Sequence, residues 1–383
     1  MMIIEPRMLG SQKLLGAPLH RLSGHTHRHI VRAWLMAASV MGLIGIVLYG
    51  RAALWVLLTC VAAAVGVDTI CSLLSRNRTP GRTERAALTG LLLGLTFPAT
   101  IPWAVATFGA VVSILIGQVV FQGTLQPALV GRVVAQFVFS GYLSLGGALA
   151  YSPVLTPGHV LMGDIRSAER VADYRGWIES QESTTFEAYE LERPVQILRR
   201  FAVSQVEPDG DLRYTPLIRD LLPPWEDTIF GVVPGGIGET CTVGLIIVGL
   251  YLIHRGFLRW QLPLTVLASA AFALSILPVE IARDYRWFPA LEFEQDRAVG
   301  MAYILYHLTS GQLMLTAFLL AGDVTASPMR VHGQILYAAG IGVIAVFMRL
   351  YGVLDGECYW AVLIMNAFVT TIDRQIRRPV LGT

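Results

Sequence analysis

Long apolar runs separated by short polar breaks dominate the chain, and this pattern predicts membrane-spanning helices. A spanning helix needs roughly 20 mainly apolar residues. Runs of about that length occur at 33–50, 52–74, 86–98, 101–121, 133–152, 228–253, 261–281, 299–321, 333–353 and 357–372. The third run ends at Pro98 and the fourth begins with Ile101 and Pro102, so this pair is predicted to form a broken or re-entrant helical hairpin. We therefore expect an all-α integral membrane fold with about ten transmembrane helices.

Composition excludes most other classes of protein. Charged residues make up 15% of the chain and hydrophobic residues 54%, whereas a soluble domain carries about 25% charged residues. The net charge of +2 is too small to indicate nucleic-acid binding. The four cysteines show no C-x-x-C spacing, which argues against a zinc site or a disulfide framework. An integral membrane protein is the class that fits.

The distribution of positive charge predicts the topology. With the N-terminus inside, the inner segments are 1–32, 75–85, 122–132, 254–260, 322–332 and 373–383. These segments hold sixteen Lys and Arg residues, against four in the short outer loops. Cytoplasmic loops carry such an excess, and an odd number of spans would destroy it. The first 32 residues are basic rather than apolar, so no cleavable signal peptide is expected. Both termini are predicted to be cytoplasmic.

The predicted domains follow from this topology. They are a cytoplasmic N-terminal segment (1–32), a first five-helix repeat (33–152), an extracytoplasmic lobe (153–227), a second five-helix repeat (228–372) and a cytoplasmic tail (373–383). The lobe holds fourteen of the 27 acidic residues. The five spans before the lobe and the five spans after it would form two halves of opposite orientation, as in transporters built from inverted repeats. Weak similarity between 89–93 and 310–314, followed by breaks at Pro98 and Pro328, supports this arrangement.

Ionisable residues inside predicted spans are candidates for function, since each costs about 2.5–3.5 kcal/mol at a helix centre on insertion scales. They are Asp68, Glu239, His307, Asp323 and Arg349. Buried acids can bind Na⁺ or relay protons. The alternative for Asp68 and Arg349 is that they lie near the interface and snorkel to it. For His307 the alternative is a histidine satisfied by hydrogen bonds between helices, and for Asp323 it is an ordinary helix cap and turn within 322–328.

The stretch 233–239 (VPGGIGE) is the most informative break. Gly235, Gly236 and Gly238 lie next to Pro234 and Glu239, a composition that disfavours a regular helix. Unwound backbone at membrane depth is tolerated only where it is buried in protein or lines a cavity. A break beside a carboxylate therefore suits an ion or cofactor site. The structural alternative is a close helix crossing through small residues.

Five stretches of the chain together resemble the RnfD/NqrB family, the flavin-bearing membrane subunits of ion-translocating electron transport complexes. They are TGLLLGLTFPATIPW (89–103), QPALVGR (126–132), PGGIGET (234–240), GQLMLTAFLLAGDVTASP (311–328) and MNAFVTTIDR (365–374). They occur in the family's order, and the resemblance spans the membrane portion of the chain, roughly residues 30–380. The chain length of 383 residues, without a long N-terminal extension, places it nearer to RnfD.

The resemblance implies covalent FMN, attached through a phosphoester to a threonine of the outer lobe in a pattern like D-G-x-S-G-A-T. Asp209, Gly210 and Thr215 match this spacing, which makes Thr215 the candidate for attachment. The Ser-Gly-Ala core is missing and Leu212, Arg213 and Tyr214 stand in its place. A bulky Arg-Tyr pair can block the flavin transferase that reads those small residues, so the alternative is that Thr215 is an ordinary turn residue.

The resemblance also implies the activity and the partners. The chain would be one subunit of a redox-driven ion translocase in a bacterial inner membrane, of the ferredoxin:NAD or NADH:quinone oxidoreductase type, with other subunits of that complex and Na⁺ or H⁺ as partners. Glu239 and Asp323 match family acids of the cofactor and ion region, and Asp68 is added to the ion pathway. A second flavin or a quinone stays open, and no metal site or catalytic triad is predicted. The alternative is a redox-inactive transporter or assembly subunit that has lost FMN.

Overall fold

A computed structural model describes the residues 27–75, 82–121, 123–144, 194–195, 198, 225–281, 284–287, 297–323, 326–352 and 355–375. Asp209, Gly210 and Thr215 lie outside these residues, as does most of the predicted lobe.

The described chain is almost entirely helical. The helices are α1 (His27–Ser75), α2 (Arg82–Thr96), α3 (Trp103–Val112), α4 (Pro127–Val138), α5 (Ser140–Ser144), α6 (Trp225–Phe230), α7 (Thr242–His254), α8 (Gln261–Ile276), α9 (Arg297–Thr309), α10 (Gln312–Leu315), α11 (Val331–Tyr351) and α12 (Glu357–Gln375). Two π-helical turns, Ser113–Val120 and Thr316–Leu320, continue α3 and α10. Strands β1 (Val279–Ile281) and β2 (Asp284–Arg286) form an antiparallel hairpin that the all-α prediction did not include.

Helix α1 is folded back on itself at Gly50. This glycine has φ 69° and ψ −148°, a conformation outside the helical region that an L side chain rarely adopts. A Cβ built on Gly42 would lie 3.4 Å from Cδ1 of Leu57. In a straight helix these residues would be about 22 Å apart, at 1.5 Å per residue. The two parts of α1 therefore pack side by side, as the predicted spans 33–50 and 52–74 require.

The predicted break between the third and fourth spans is also present. Helix α2 ends at Thr96, and α3 begins at Trp103 directly after Pro102. Pro102 suits this position because its fixed φ favours a helix start and its missing N–H is not needed there. Gly109 packs against the ring of Phe97, with a built Cβ 2.9 Å from Cζ. Helix α3 therefore folds back over the end of α2.

The multi-pass membrane class is confirmed in its coarse form. By length and apolar composition, three described helices could cross a membrane: Arg28–Leu74, Trp103–Val120 and Val331–Tyr351. A fourth candidate is the pair Gly300–Thr309 and Gln312–Leu320, which is bent by 57°. Described helices overlap each of the ten predicted runs, but several are short. The count of ten spans and the inverted repeat stay predictions.

The eighth predicted run contains a bend that the sequence did not predict. The expected break at 322–328 is present, because the π-helical turn ends at Leu320 and α11 begins only at Val331, with Pro328 in the connection. A further bend of 57° occurs earlier, at Ser310 and Gly311. Gly311 has φ 73° and ψ −143°, which only glycine adopts readily, and it ends the helical path of α9.

Candidate ion and cofactor site

The glycine-rich stretch of the sixth predicted run is non-helical, as its sequence predicts. Helix α6 ends at Phe230, and α7 begins only at Thr242. Gly231 has φ 91°, and a Cβ built on it would lie 2.8 Å from the backbone nitrogen of Cys241. The two ends of the break therefore approach each other closely. We call residues 231–241 the broken segment.

The broken segment pairs with the end of α2 through its backbone. Pro98 and Gly236 form an isolated antiparallel bridge. The N–H of Ile237 donates to the carbonyl of Phe97 at 2.9 Å, and the N–H of Gly238 donates to the carbonyl of Leu95 at 2.8 Å. The N–H groups of the broken segment and the carbonyl groups at the end of α2 thereby satisfy each other. Two interruptions that contain proline or glycine, at 97–102 and at 231–241, therefore lie in contact.

Close approach through small residues accompanies this pairing. A Cβ built on Gly238 would lie 2.8 Å from Cβ of Leu95, and one on Gly45 would lie 2.7 Å from the carbonyl oxygen of Ile237. The helix-crossing alternative for these glycines is therefore correct in part. Small residues let α1 and α2 approach the broken segment, and the backbone of that segment is unwound as well.

Glu239 closes the broken segment with a fully buried carboxylate. The residue is 1% exposed, and its Oε2 accepts a hydrogen bond from the N–H of Gly236 at 3.1 Å. Its Oε1 accepts a hydrogen bond from the hydroxyl of Tyr359 on α12. Both carboxylate oxygens therefore have donors, as a buried polar group requires. The predicted ionisable residue is held in place by a tyrosine that sequence reasoning did not single out.

Arg132 supports this arrangement from α4. Its guanidinium lies over the rings of Phe97 and Tyr359, with Cζ 5.6 Å and 5.5 Å from the ring centroids. Its Nε donates to the carbonyl of Thr96 at 3.2 Å, and Nη1 donates to Gln136 at 2.5 Å. The topology count places Arg132 among the charges of an inner segment, which stays a prediction. In the structure its side chain is 1% exposed and hydrogen-bonded inside the bundle.

Arg349 is also buried and does not snorkel. Its Nε lies 2.8 Å from Oε1 of Glu357, with both side chains almost fully shielded from solvent, and Nη1 donates to the carbonyl of His307 at 2.5 Å. The snorkelling alternative is therefore wrong for Arg349, because the carboxylate of Glu357 compensates its charge within the protein. Among the described residues Nδ1 of His307 has no hydrogen-bond partner, so the expectation of a fully satisfied histidine is wrong at this atom.

A cleft with about 510 Å³ of empty space opens beside the broken segment, and we call it the Glu239 cleft. Its lining includes Glu239, Gln312, Asp355 and Glu357, together with residues 233–235. Pro194 and Val195 of the predicted lobe also contribute to it. Within the described ranges, Oε1 of Gln312 has no hydrogen-bond partner although the residue is 5% exposed.

Asp323 lines a different cleft, with about 600 Å³ of empty space, which we call the Asp323 cleft. Trp34, Arg85, Thr89 and Gln126 are among its other lining residues. Of the residues that the structure describes, none lines both clefts. The structure therefore does not bring the two predicted acids, Glu239 and Asp323, into one site.

Comparison with known proteins decides the family. The profile of the NQR2, RnfD, RnfE family matches residues 16–382, almost the whole chain. The chain belongs to this family. It is 28% identical over 374 residues to the D subunit of the ion-translocating oxidoreductase complex of Halorhodospira halophila, a match that covers 92% of this chain and 91% of that protein.

Other members of the family are similar over nearly the same length. The D subunit of the Na⁺-translocating ferredoxin:NAD⁺ oxidoreductase complex of Acetobacterium woodii is 27% identical over 360 residues, covering 93% of this chain and 89% of its own. The D subunit of the proton-translocating ferredoxin:NAD⁺ oxidoreductase complex of Clostridium ljungdahlii is 25% identical over 355 residues, with 91% and 89% covered. The resemblance to the RnfD/NqrB family is thus confirmed.

The five stretches that carry the family resemblance meet in two places. The stretches 89–103 and 234–240 form the backbone pairing described above. The other three meet at Asn366, whose amide, oriented so that both of its atoms are satisfied, accepts from the N–H of Gln126 at 3.2 Å and donates to the carbonyl of Ala326 at 3.1 Å. The hydroxyl of Tyr337 lies 2.6 Å from the same amide.

The other predicted site residues have different positions. Asp68 is 1% exposed in the second part of α1, so it does not snorkel to an interface, and it lines neither described cleft. Gly236 and Gly238 use their N–H groups within the protein, for Glu239 and Leu95. Gly235 lines the Glu239 cleft. The FMN candidates Asp209, Gly210 and Thr215 lie outside the described residues.

Sequence reasoning missed Gln312, Glu357 and Tyr359, although each left a signal. Glu357 is an acid at the start of an apolar run, and Gln312 lies next to Gly311 inside another. Polar residues in such places are expensive unless they have buried partners. Tyr359 and Arg132 gave weaker signals, because an aromatic residue or an arginine near a helix end is common at membrane interfaces.

Proposed function

We propose that this chain is the membrane subunit of an ion-translocating electron transport complex, in which electron transfer drives Na⁺ or H⁺ across the membrane. The names of the relatives support it, since each is the D subunit of an ion-translocating oxidoreductase complex. One of these complexes is named for Na⁺ and another for protons, so the family includes both ions. The partners are the other subunits of such a complex, and the chain does not catalyse the reaction alone.

The observation that carries this proposal is the pairing of two broken helices around a buried carboxylate. Transporters commonly bind ions where discontinuous helices meet and leave backbone groups available. Here the end of α2 and the broken segment are joined by the bridge between Pro98 and Gly236, with Glu239 beside them. An enzyme subunit with a purely structural membrane anchor has no need of two interrupted helices and a buried acid at their junction.

The topology proposed for this function is the one that the charge distribution predicts. Ten spans cross the bacterial inner membrane, with both termini in the cytoplasm and the segment 153–227 outside as a small lobe. The two sets of five helices are related as inverted repeats. The hairpins at Gly50 and at 97–102 support the separate spans of the first half. The interruptions at 231–241 and at Ser310–Gly311 support broken spans in the second.

Ion movement is assigned to Glu239, Asp323 and Asp68. Glu239 and Asp323 line separate clefts, which suits two openings of one pathway on different parts of the bundle. Asp68 is a buried carboxyl group in the second part of α1, and a carboxyl oxygen is a ligand that cations accept. The glycines Gly235, Gly236 and Gly238 give the backbone freedom that such a site, or a flavin beside it, requires.

Covalent FMN on Thr215 belongs to the same proposal. The family resemblance supports it, and Leu212, Arg213 and Tyr214 weigh against it because they replace the small residues of the attachment pattern. FMN would supply one- and two-electron chemistry. In-gel fluorescence of the denatured protein, produced with the maturation enzyme, tests the assignment. A fluorescent band that Thr215→Ala abolishes supports it, and the absence of a band in the unchanged chain contradicts it.

The role of Glu239 is tested in membrane vesicles that contain the assembled complex. We expect Glu239→Gln to lower redox-driven cation uptake at least about tenfold, because a neutral amide no longer attracts the cation, a loss of about 1.4 kcal/mol or more. Glu239→Asp keeps the charge and should retain part of the uptake. The matched control is Glu226→Gln, since Glu226 is exposed on α6.

The outcomes of that experiment separate folding from function. The amount of assembled complex is measured for every variant, so that a loss of protein is not mistaken for a loss of uptake. Normal uptake by an assembled Glu239→Gln complex would show that Glu239 has no part in ion movement. Cation uptake that proceeds without any electron donor would favour the alternative, a redox-inactive transporter of the same fold.

A further inference from the structure

Gln312 presents a buried carbonyl oxygen that has no donor. It is the first residue of α10 and follows the bend at Gly311. The residue is 5% exposed, and its Oε1 has no hydrogen-bond partner in the part of the chain that the structure describes. A buried acceptor without a donor destabilises the folded protein, because it has lost its hydrogen bonds to water. This oxygen therefore needs a donor or a cation, and it lines the Glu239 cleft.

The broken segment contributes two more free oxygens to the same cleft. The carbonyl groups of Pro234 and Gly235 accept no hydrogen bond from any described residue, whereas the carbonyl of Val233 accepts one from Tyr49. Both residues line the Glu239 cleft. Carbonyl groups of unwound helices are the ligands that coordinate Na⁺ in several transporter folds.

The charge of the cleft favours a cation. Three carboxylates line it, those of Glu239, Asp355 and Glu357, and Nε of Arg349 lies 2.8 Å from Oε1 of Glu357. No group of three or more His, Cys, Asp or Glu side chains among the described residues could hold a metal ion. The available ligands are therefore mainly neutral carbonyl oxygens with one nearby carboxylate, which suits a hard monovalent cation better than zinc or another divalent metal.

We propose that the Glu239 cleft holds a Na⁺ site whose ligands are Oε1 of Gln312, the carbonyl oxygens of Pro234 and Gly235, and the carboxylate of Glu239. The carboxylate balances the single positive charge of Na⁺, and the three neutral oxygens complete its coordination. The bend at Gly311 and the unwinding at Pro234 each expose one part of the site, so both broken helices are needed. This inference rests on the ion-translocating half of the proposed function, but binding itself requires no electron transfer.

Calorimetric titration of NaCl into the purified complex, with the full chain present and choline as the background cation, tests the site. We expect Gln312→Leu to weaken Na⁺ binding at least about tenfold, because it removes one ligand oxygen without a charge change. Gln312→Asn withdraws the oxygen by one methylene and should weaken binding less. Gln261→Leu is the matched control, since Gln261 begins α8 and does not line the cleft.

The titrations have clear contrary outcomes. The site is wrong if the assembled Gln312→Leu complex binds Na⁺ as the unchanged complex does, or if the unchanged complex shows no saturable Na⁺ binding. If Gln312→Leu does not assemble, Gln312→Asn gives the answer by the same comparison. A response to CaCl₂ in place of NaCl that depends on Gln312 would overturn the assignment to a monovalent cation.

The same preparation separates this inference from the proposed function. Redox-driven uptake by an unchanged complex that shows no saturable Na⁺ binding would overturn the site alone. Intact Na⁺ binding that depends on Gln312, in a complex with no redox-driven uptake, would overturn the proposed function and leave the site in place.

Discussion

At the scale of single residues, buried charge and polarity are held by specific partners. Arg349 pairs with Glu357, Glu239 receives hydrogen bonds from Gly236 and Tyr359, and Arg132 lies over two aromatic rings. Such groups are costly in a low-dielectric interior unless they are satisfied. Removing one of these buried groups should therefore lower the stability of the protein more than removing an exposed polar group does.

The hydroxyl of Tyr359 gives the simplest test at this scale. Tyr359→Phe keeps the ring that Arg132 contacts and removes the donor to Glu239. A hydrogen bond to a charged group contributes about 1.5–3 kcal/mol, so the thermal unfolding midpoint of the purified protein should fall by a few degrees. Tyr142→Phe is the control, because Tyr142 is exposed. Equal midpoints for the two variants would contradict the role of Tyr359.

The ion pair of Arg349 and Glu357 should show strong coupling. Arg349→Met alone leaves a buried carboxylate without its partner, and such a loss costs about 3–5 kcal/mol. Arg349→Met combined with Glu357→Leu should recover much of this stability. The free energies of unfolding of the single and double variants measure the coupling, and additive effects would argue against it.

The exposed ion pair of Arg32 and Glu84 is the control for the buried pair of Arg349 and Glu357. Their nitrogen and oxygen lie 2.8 Å apart, but the two side chains are 56% and 29% exposed. The hydrogen bond from Arg32 keeps the pKa of Glu84 below its ordinary value, yet solvent screens the attraction. Arg32→Met should therefore change the unfolding midpoint very little.

At the scale of elements, interruptions in helices determine how the helices pack. Gly50 folds α1, residues 97–102 turn α2 into α3, and the broken segment separates α6 from α7. The sequence predicts these places because glycine and proline disfavour a continuous helix. It does not predict that Pro98 pairs with Gly236, because that contact joins residues far apart in the chain.

The same limit applies to the candidate site. Glu239 could be singled out because an acid beside three glycines stands out in an apolar run. Tyr359 and Gln312 left weaker signals, since their importance depends on which helix faces them. For Arg349 the sequence leaves both an interface position and a buried one open, because a single charge near a span end is compatible with either. Only the folded arrangement distinguishes an interface from a buried ion pair.

Two glycines of α1 test the importance of close packing at this scale. Gly45→Ala would place a Cβ 2.7 Å from the carbonyl oxygen of Ile237, so it should push the broken segment away and lower stability. Gly66→Ala meets nothing within 4 Å. It should leave stability unchanged or raise it by up to about 1 kcal/mol through helix propensity. Thermal unfolding of the two variants, compared with the unchanged protein, measures the difference, and a loss of stability in both would contradict it.

At the scale of the whole molecule, the described chain is a helical membrane protein with two separate clefts. The Glu239 cleft lies between the broken segment and the bend at Gly311, and the Asp323 cleft lies near the contact between the stretches that Asn366 joins.

The central claim is that this chain couples electron flow to cation movement, and simultaneous measurement of both in membrane vesicles tests it most directly. Electron transfer and uptake of Na⁺ or H⁺ are followed together in vesicles from cells that lack the chain and from cells in which it is restored. We predict that donor-dependent uptake appears only with the restored chain and stops when the electron donor is withheld. Equal donor-dependent uptake in vesicles with and without the chain would contradict the account.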